Sequence, residues 1–535
     1  MVASALGDPQ TSPWAPLRHR SFLLIWSAAL VSNIGTWMHD VAAAWLMTSL
    51  NPAPLMVALV QAATSFPVFL LALPAGAMAD LIDRRRLLLV LQLCAGAIAL
   101  ALALIVVTGH ITPGLLLVLT FLLGCTAALG APAWQAMTPD LVPRPLLTQA
   151  VALNGVGINV ARAIGPAVGG VLITGFGLAW PFALNALSFL AVILALLAWQ
   201  PPEKGPTALP AERILGAVRS GLRYARSSAP LRGTLVRSAL FFLPASAFWS
   251  LLPLVARGPL AGAAGLYGAL LAGVGIGAVA AALLLPKLKA RLGADGMVMA
   301  GTGLLAVSMA LLATAPFLAI ALPACLLAGL AWISVLSSIN VSAQLALPAW
   351  VRSRGLAVSL AVFFGSMTAG SVLWGWLAGH IGPMGALLGA AGAALAGMTL
   401  SRRWHLLGDS TLDLSPSGHW PVPLVHESVG THSGPVLVTV EYEIDAADAD
   451  AFASAMAELE HARRRDGAFF WQLFVDAEQP RRRLEAFMLE SWLDHLRQHE
   501  RVTVEDRALQ ERVRRWQRGS AAPRVTHWLA GQPHR

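Results

Sequence analysis

The stretch GAMADLIDRRR, residues 76–86, sets two aspartates and three arginines within seven positions of a chain that otherwise avoids charge. Of the 535 residues, 56% are hydrophobic and 12% charged, with a mean hydropathy of +0.66. Soluble domains carry about 25% charged residues, so most of this chain belongs in lipid and the charged stretch belongs to a loop between spans. Crossing a bilayer takes about 20 apolar residues. Outward from the loop, twelve segments qualify: 21–48, 55–79, 87–108, 114–137, 148–174, 178–199, 234–256, 264–286, 296–314, 317–345, 355–379 and 383–401.

The loops assign the two sides. Arg84–Arg86, Arg144, Lys204, the run from Arg213 to Arg232, Lys287, Lys289, Arg291, Arg352, Arg354, Arg402 and Arg403 all fall on one side, and the other holds only Arg257. Basic loops stay cytoplasmic, so both termini are expected there, in a multi-pass membrane protein. The same distribution accounts for the +9 net charge and excludes the nucleic-acid reading that it would suggest in a soluble protein. Cys94, Cys125 and Cys325 stand alone in apolar runs and read as buried thiols, with no disulfide, metal or cofactor implied.

An internal repeat follows. PAWQAMTPDLVPR (132–144) and NVSAQLALPAWVR (340–352) align Gln135, Pro139 and Val142 with Gln344, Pro348 and Val351, an offset of 209 residues. The same offset carries GPAVGG (165–170) onto WGWLAG (374–379), and 76–86 onto the region of PKLKARLG (286–293). Two six-helix halves (21–199 and 234–404), joined by a cytoplasmic linker (200–233) and preceded by a short cytoplasmic N-terminus (1–20), are the architecture of secondary transporters.

With Gly76, Asp80, Arg84 and Arg85 in place between the second and third spans, the loop resembles the signature of the major facilitator superfamily. NIGTWM, PAWQAMTPDLV, LNGVGINVARAIGPAVGG and FALNALSFL resemble its enterobactin-exporter-like group, although Leu81 replaces a frequent arginine. The resemblance implies an alternating-access exporter of a small molecule (a siderophore, drug or metabolite), with Asp80 latching the two halves against a helix N-terminus. Gly76 is read as a point of close helix approach. Gly157, Ala161, Gly165, Pro166, Gly169 and Gly170 resemble the packing motif of drug–proton antiporters, with Gly157, Ala161, Gly165 and Gly169 recurring every four residues along one face.

Ionisable groups inside spans are costly and mark transport pathways. Asp40 is the one acid placed within the hydrocarbon and is the expected proton site, which makes protons a partner alongside the small-molecule substrate and the lipid bilayer. Arg162 lies near mid-membrane, where Asn154 or Asn159 could satisfy it; Gln135 and Gln344 join it as cavity candidates. Arg237 starts the seventh span and is read as snorkelling to the interface. No phosphate-binding loop appears, so a gradient rather than ATP is the expected energy source.

In the linker, Ile214, Leu215, Val218 and Leu222 share a face among arginines, which predicts an amphipathic helix on the inner membrane surface. After 404 the chemistry changes. A Pro/Ser/Gly/His-rich flexible linker (405–433) leads to a soluble domain (434–530) whose strand–helix–strand–strand–helix–strand order predicts a ferredoxin-like fold. The fold class is thus an all-α membrane protein of twelve transmembrane helices with a C-terminal α+β domain. LEAFMLESWLDHLRQHERVT resembles antibiotic-biosynthesis monooxygenases, which implies a homodimer through the domain's sheet. His495 and His499 supply two of the three or four ligands a metal needs, and Trp471 and Trp492 read as packing, so no enzyme activity is assigned. The alternative readings are an oxygenase tail acting on the cargo, a lipid flippase or an uptake symporter. A reporter fused after Trp404, or within 205–230, should be active only as a cytoplasmic fusion. Periplasmic activity at either position would refute the even number of spans.

Overall fold

The structure, a computed structural model, describes residues 12–200, 214–315, 317–407, 413–420, 430, 433–518 and 522–530. Its helices are α1 Arg20–Leu50, α2 Pro54–Leu81, α3 Arg84–Val107, α4 Pro113–Leu141, α5 Leu147–Phe176, α6 Ala179–Ala198, α7 Ile214–Ser227, α8 Ala229–Arg257, α9 Ala264–Thr314, α10 Leu318–Leu345 and α11 Arg352–Ser401. Among the described residues, ten helices are long and apolar enough to cross a membrane.

Local chemistry sets the helix ends. Pro54 and Pro113 open α2 and α4, where the missing N–H costs nothing. Asp83, the second acid of the opening stretch, is the N-cap of α3 and accepts the Arg86 N–H at 2.8 Å. At 51 and 50 residues, α9 and α11 would each extend about 75 Å, more than twice the hydrocarbon thickness of about 30 Å. Each is interrupted by one residue, Gly293 (φ 65°) and Gly382 (φ 79°). The loops expected at 287–295 and 380–382 are therefore helical up to a single glycine, because only a residue without Cβ reverses the chain so abruptly.

The described chain forms two compact units. The first comprises Met1–Ile214, Thr234–Val341 and Ala357–Leu406. Within it α1 packs on α5 and α6, α2 on α4, α3 on α4 and α6, and α5 on α9. Its second half holds an aromatic knot, in which Phe242 meets Phe363 and Trp332 edge-on at 4.3 and 5.3 Å. Of the three thiols only Cys325 is buried; Cys94 is exposed at the surface of its helix and Cys125 half-buried.

The second unit comprises Leu215–Gly233, Ser342–Leu356 and Leu407–Arg535. Strands β1 Val436–Glu443, β2 Phe470–Val475, β3 Arg482–Leu489 and β4 Arg524–Leu529 form one antiparallel sheet in the order β2-β3-β1-β4. Helices α12 Ala449–Asp466, α13 Trp492–Arg501 and α14 Val504–Arg514 accompany it. The second helix expected in this domain is split at Val502, because Thr503 and Asp506 close a capping box that starts a new helix.

Two expectations change here. Residues 413–420 are not free linker: Ser417 donates its N–H to Val502 O at 2.9 Å, and the Trp420 indole donates to Gln510 Oε1 at 2.9 Å. Helix α7 also has a protein partner. Tyr224, 2% exposed, donates to Ala346 O at 3.0 Å and meets Trp350 edge-on. Arg465 covers the Tyr224 ring, and Arg501 lies 4.5 Å from the centre of the Trp350 ring. Burial pushes the Tyr224 phenol up to about 12. Leu222 stays exposed, while the side chains of Ile214, Leu215 and Val218 lie outside the described residues. A cation–π pair is worth about 1–2 kcal/mol when partly desolvated. Trp350→Ala should therefore quicken hydrogen exchange across 219–228 about tenfold, and unchanged exchange would show that the contact does not form in solution.

Candidate functional site

Helix α5 is built to be approached on two sides. Gly157, Ala161, Gly165, Pro166, Gly169 and Gly170 are all buried. A Cβ added at Gly165 would lie 2.5 Å from Trp37 Cβ and 3.0 Å from Ile34 O; at Gly169 it would lie 3.1 Å from Met38 Cα. That side holds α1, helped by the Trp26 indole donating to Leu153 O at 3.0 Å. On the other side lies α9 of the second half. A Cβ at Gly170 would lie 3.1 Å from Gly268 Cα, and one at Gly275 2.6 Å from Ala163 Cα. The four-residue period in the sequence reports the first side. The second requires knowing which helix crosses α5, although the glycine density of 265–277 is its signal.

Both halves also meet at the end of the bundle remote from the arginine-rich loops. Gly375 of α11 lies against Ala58 and Leu55 of α2. Arg257, the last residue of α8, donates to Thr48 Oγ1 at 2.8 Å and Ser49 Oγ at 2.6 Å, and its guanidinium lies 5.6 Å from the Trp45 ring centre. Trp45 stacks on Tyr267 of α9 at 6.1 Å. Asp40 is within electrostatic reach of Tyr267 and, among the described residues, has no hydrogen-bond or ion-pair partner. By the 1.5 Å helical rise, it lies about 15 Å in from Leu50. Its neighbour His39 turns the other way, edge-on to Phe182 of α6 at 4.9 Å.

Arg162 lies 5.4 Å from the Trp37 ring centre, one turn of α1 before Asp40, and no ion pair joins the two. The asparagines expected to satisfy it are occupied elsewhere: Asn154 donates to Thr138 Oγ1 at 3.2 Å and Asn159 to Gly155 O at 2.9 Å. Among the described residues, buried Nε and Nη1 of Arg162 have no hydrogen-bond partner. Gln135 and Gln344 are exposed near the arginine-rich ends of α4 and α10.

At the arginine-rich end, the charges close helix termini. Arg84 donates to Ala136 O at 2.9 Å and pairs with Asp140. Arg85 donates to Leu196 O at 2.8 Å and Leu197 O at 2.7 Å, where α6 ends and its dipole favours a cation. Gly76 is not the expected point of close approach: a Cβ there would meet nothing within 4 Å among the described residues. The Asp80 side chain lies outside the described residues. Arg237 does not snorkel. It is 2% exposed and pairs with Asp295, which also accepts from His405 Nδ1 and the Leu406 N–H at 2.9 Å each.

In the sheet domain, buried Glu485 accepts from Arg463 Nε at 2.9 Å, the Trp471 indole at 3.1 Å and the Tyr442 hydroxyl at 3.2 Å. His495 and His499 share one N–H across 3.2 Å, and His527 of β4 brings a third ring to 4.7 Å from His495. Burial and neighbouring positive charges push His495 down to about 3 and His499 to about 4, so the pair is neutral. Among the described residues no group of three or more potential ligands could hold a metal.

Among the described residues, ten membrane-length helices packed through glycine contacts, with charge confined to few intramembrane positions, define a multi-pass membrane protein. The model describing transmembrane secretion effectors matches residues 11–534, and the chain belongs to that family of the major facilitator superfamily. It is 25% identical to the staphyloferrin A transporter of Staphylococcus aureus over 273 residues, 50% of this chain and 67% of that one. It is 29% identical to the enterobactin exporter EntS of Shigella boydii over 274 residues, 50% and 64% of the two chains. The chain thus spans about two thirds of the length of these relatives. The fold also matches a crystal structure of a bacterial homologue of the human lysosomal transporter Spinster, with a TM-score of 0.56 and 15% identity over 73% of this chain and 98% of that one. The chain is thereby a member of a transporter family.

Overpacking a close crossing costs about 1–3 kcal/mol. Gly170→Val should lower the melting temperature by several degrees, whereas Gly155→Val, with nothing within 4 Å of its Cβ, should leave it within a degree. Equal effects in a thermal-shift assay would refute the α5–α9 contact.

Proposed function

We propose that this protein exports a small molecule of the siderophore class across a bacterial inner membrane, by proton-coupled alternating access. Asp40 carries the reading: it is a carboxylate without a partner among the described residues, inside a span of one half and within reach of Tyr267 of the other. A site so placed can feel the halves separate, and an acid in lipid loads and releases protons at modest cost. The cargo class is supported by the staphyloferrin A and enterobactin transporters among the relatives. Divided at Gly293 and Gly382, the ten long helices become twelve spans in two halves. With the arginine-rich loops in the cytoplasm, along with both termini, the contacts at the far end represent a shut outer gate.

Three further assignments accompany this reading. Asp80 serves as the latch between halves, with Gly76, Arg84 and Arg85 shaping its loop. The tail is a ferredoxin-like domain of the antibiotic-biosynthesis-monooxygenase type, supported by its β2-β3-β1-β4 order. It dimerises through the outer sheet face, where Phe470, Met488, Leu437 and Trp528 lie in one cross-strand row, with Trp528 59% exposed.

The test is Asp40→Asn, which removes the titration while nearly keeping shape. In vesicles the variant should lose proton-driven accumulation, at least tenfold, but keep passive exchange of a siderophore substrate. Normal accumulation across a pH gradient would remove Asp40 from coupling and leave Arg162 as the next residue to examine.

A further inference from the structure

Arg257 is the one lysine or arginine on its side of the bundle. Loops on the outer face are ordinarily depleted of such residues, so a lone arginine there calls for a specific partner. The structure supplies one. Arg257 and Tyr267 both belong to the second half, and between them they hold Trp45 of the first, with the guanidinium 5.6 Å from the ring centre and the phenol stacked at 6.1 Å. The same guanidinium reaches Thr48 and Ser49 on the last turn of α1.

We infer that Arg257 is the outer lock of this transporter, gripping the end of α1 through Trp45, Thr48 and Ser49 to keep the outer end shut. The inference rests on the alternating-access reading above. Three features make the grip specific. Thr48 is 2% exposed and donates its own hydroxyl proton to Trp45 O at 2.7 Å, so its oxygen faces Arg257 as an acceptor. Trp45 is 9% exposed and Tyr267 4%, so the aromatic pair excludes water from the guanidinium face and strengthens the attraction. The fork of the guanidinium serves two hydroxyls and a ring at once, which a lysine ammonium does not reproduce. Opening the outer end carries Arg257 away from α1 and into water, where its charge is solvated. The lock is therefore reversible, unlike an apolar seam.

Accessibility measures this directly. In full-length protein with Cys94, Cys125 and Cys325 replaced by serine, Ala264→Cys places a thiol where α9 meets α5, at a position 4% exposed. A membrane-impermeant maleimide is then applied to intact cells and, separately, to inside-out vesicles. Arg257→Ala should raise the labelling rate in cells about tenfold or more. Arg257→Lys and Trp45→Phe should give intermediate rates at an unchanged melting temperature. Parent-like labelling in Arg257→Ala overturns the lock, as does a rise seen only in variants whose melting temperature collapses. The readout is accessibility rather than transport, with no cargo added and no gradient imposed, so failure of the coupling reading leaves its result intact. A rise confined to inside-out vesicles would overturn the orientation and keep the contact as a lock.

Discussion

Lipid tails are as apolar as leucine, so burying apolar side chains gives membrane helices little reason to associate, and the bundle depends on close backbone approach instead. Helix α5 is where that constraint concentrates. With side chains removed at Gly157, Gly165 and Gly169 it accepts α1, and with Gly170 facing Gly268 it accepts α9 of the other half. One helix thus serves both the packing of its own group of helices and, on the alternating-access reading proposed above, the boundary across which the two halves move. A bulky residue on the first side would harm folding, and one on the second would harm closure.

The charged loop that interrupts the chain at 76–86 has a related explanation. A helix ending at the membrane surface leaves carbonyls unpaired, and the cheapest way to satisfy them is a cation from a neighbouring helix. Arg85 does this for α6 at Leu196 and Leu197, Arg84 ties the loop to α4 at Ala136 and Asp140, and Asp83 satisfies the N-terminus of their own helix. The second half solves the same problem with different residues: Arg237 and Asp295 gather the chain as it leaves α11, through His405 and Leu406. Basic loops therefore set topology and also close the ends of the helices they join.

Much of this was legible in the sequence because it is periodic or additive. Long apolar runs, the arginine bias of alternate loops and the four-residue glycine spacing each depend on local order alone. What was hidden depends on partners brought together from afar. Arg237 looked like an interfacial residue because Asp295 is 58 positions away. His527 could not be associated with His495 before β4 was paired beside β1. The loops at 287–295 and 380–382 read longer than they are because composition marks where an apolar run stops and not where the helix ends, and one glycine at positive φ suffices to turn it. Residues 413–420 resembled linker by composition, yet their backbone N–H and C=O groups found partners at Val502 and Val504.

The contacts differ in kind according to whether they must break. Within the second half, Phe242, Phe363 and Trp332 interlock at centroid distances down to 4.3 Å, a packing that is costly to open and has no need to open. Between halves, the surfaces are backbone against backbone at Gly170 and Gly268, and guanidinium against hydroxyl at Arg257, Thr48 and Ser49. Such contacts are individually modest, about 1–2 kcal/mol each. Water can replace the polar ones and smooth glycine faces can slide. A boundary made of large interdigitating side chains would be more stable and would trap one state. On the proposed alternating-access reading, small residues and an exchangeable cation permit a seal that is tight when closed and still crosses a low barrier to open.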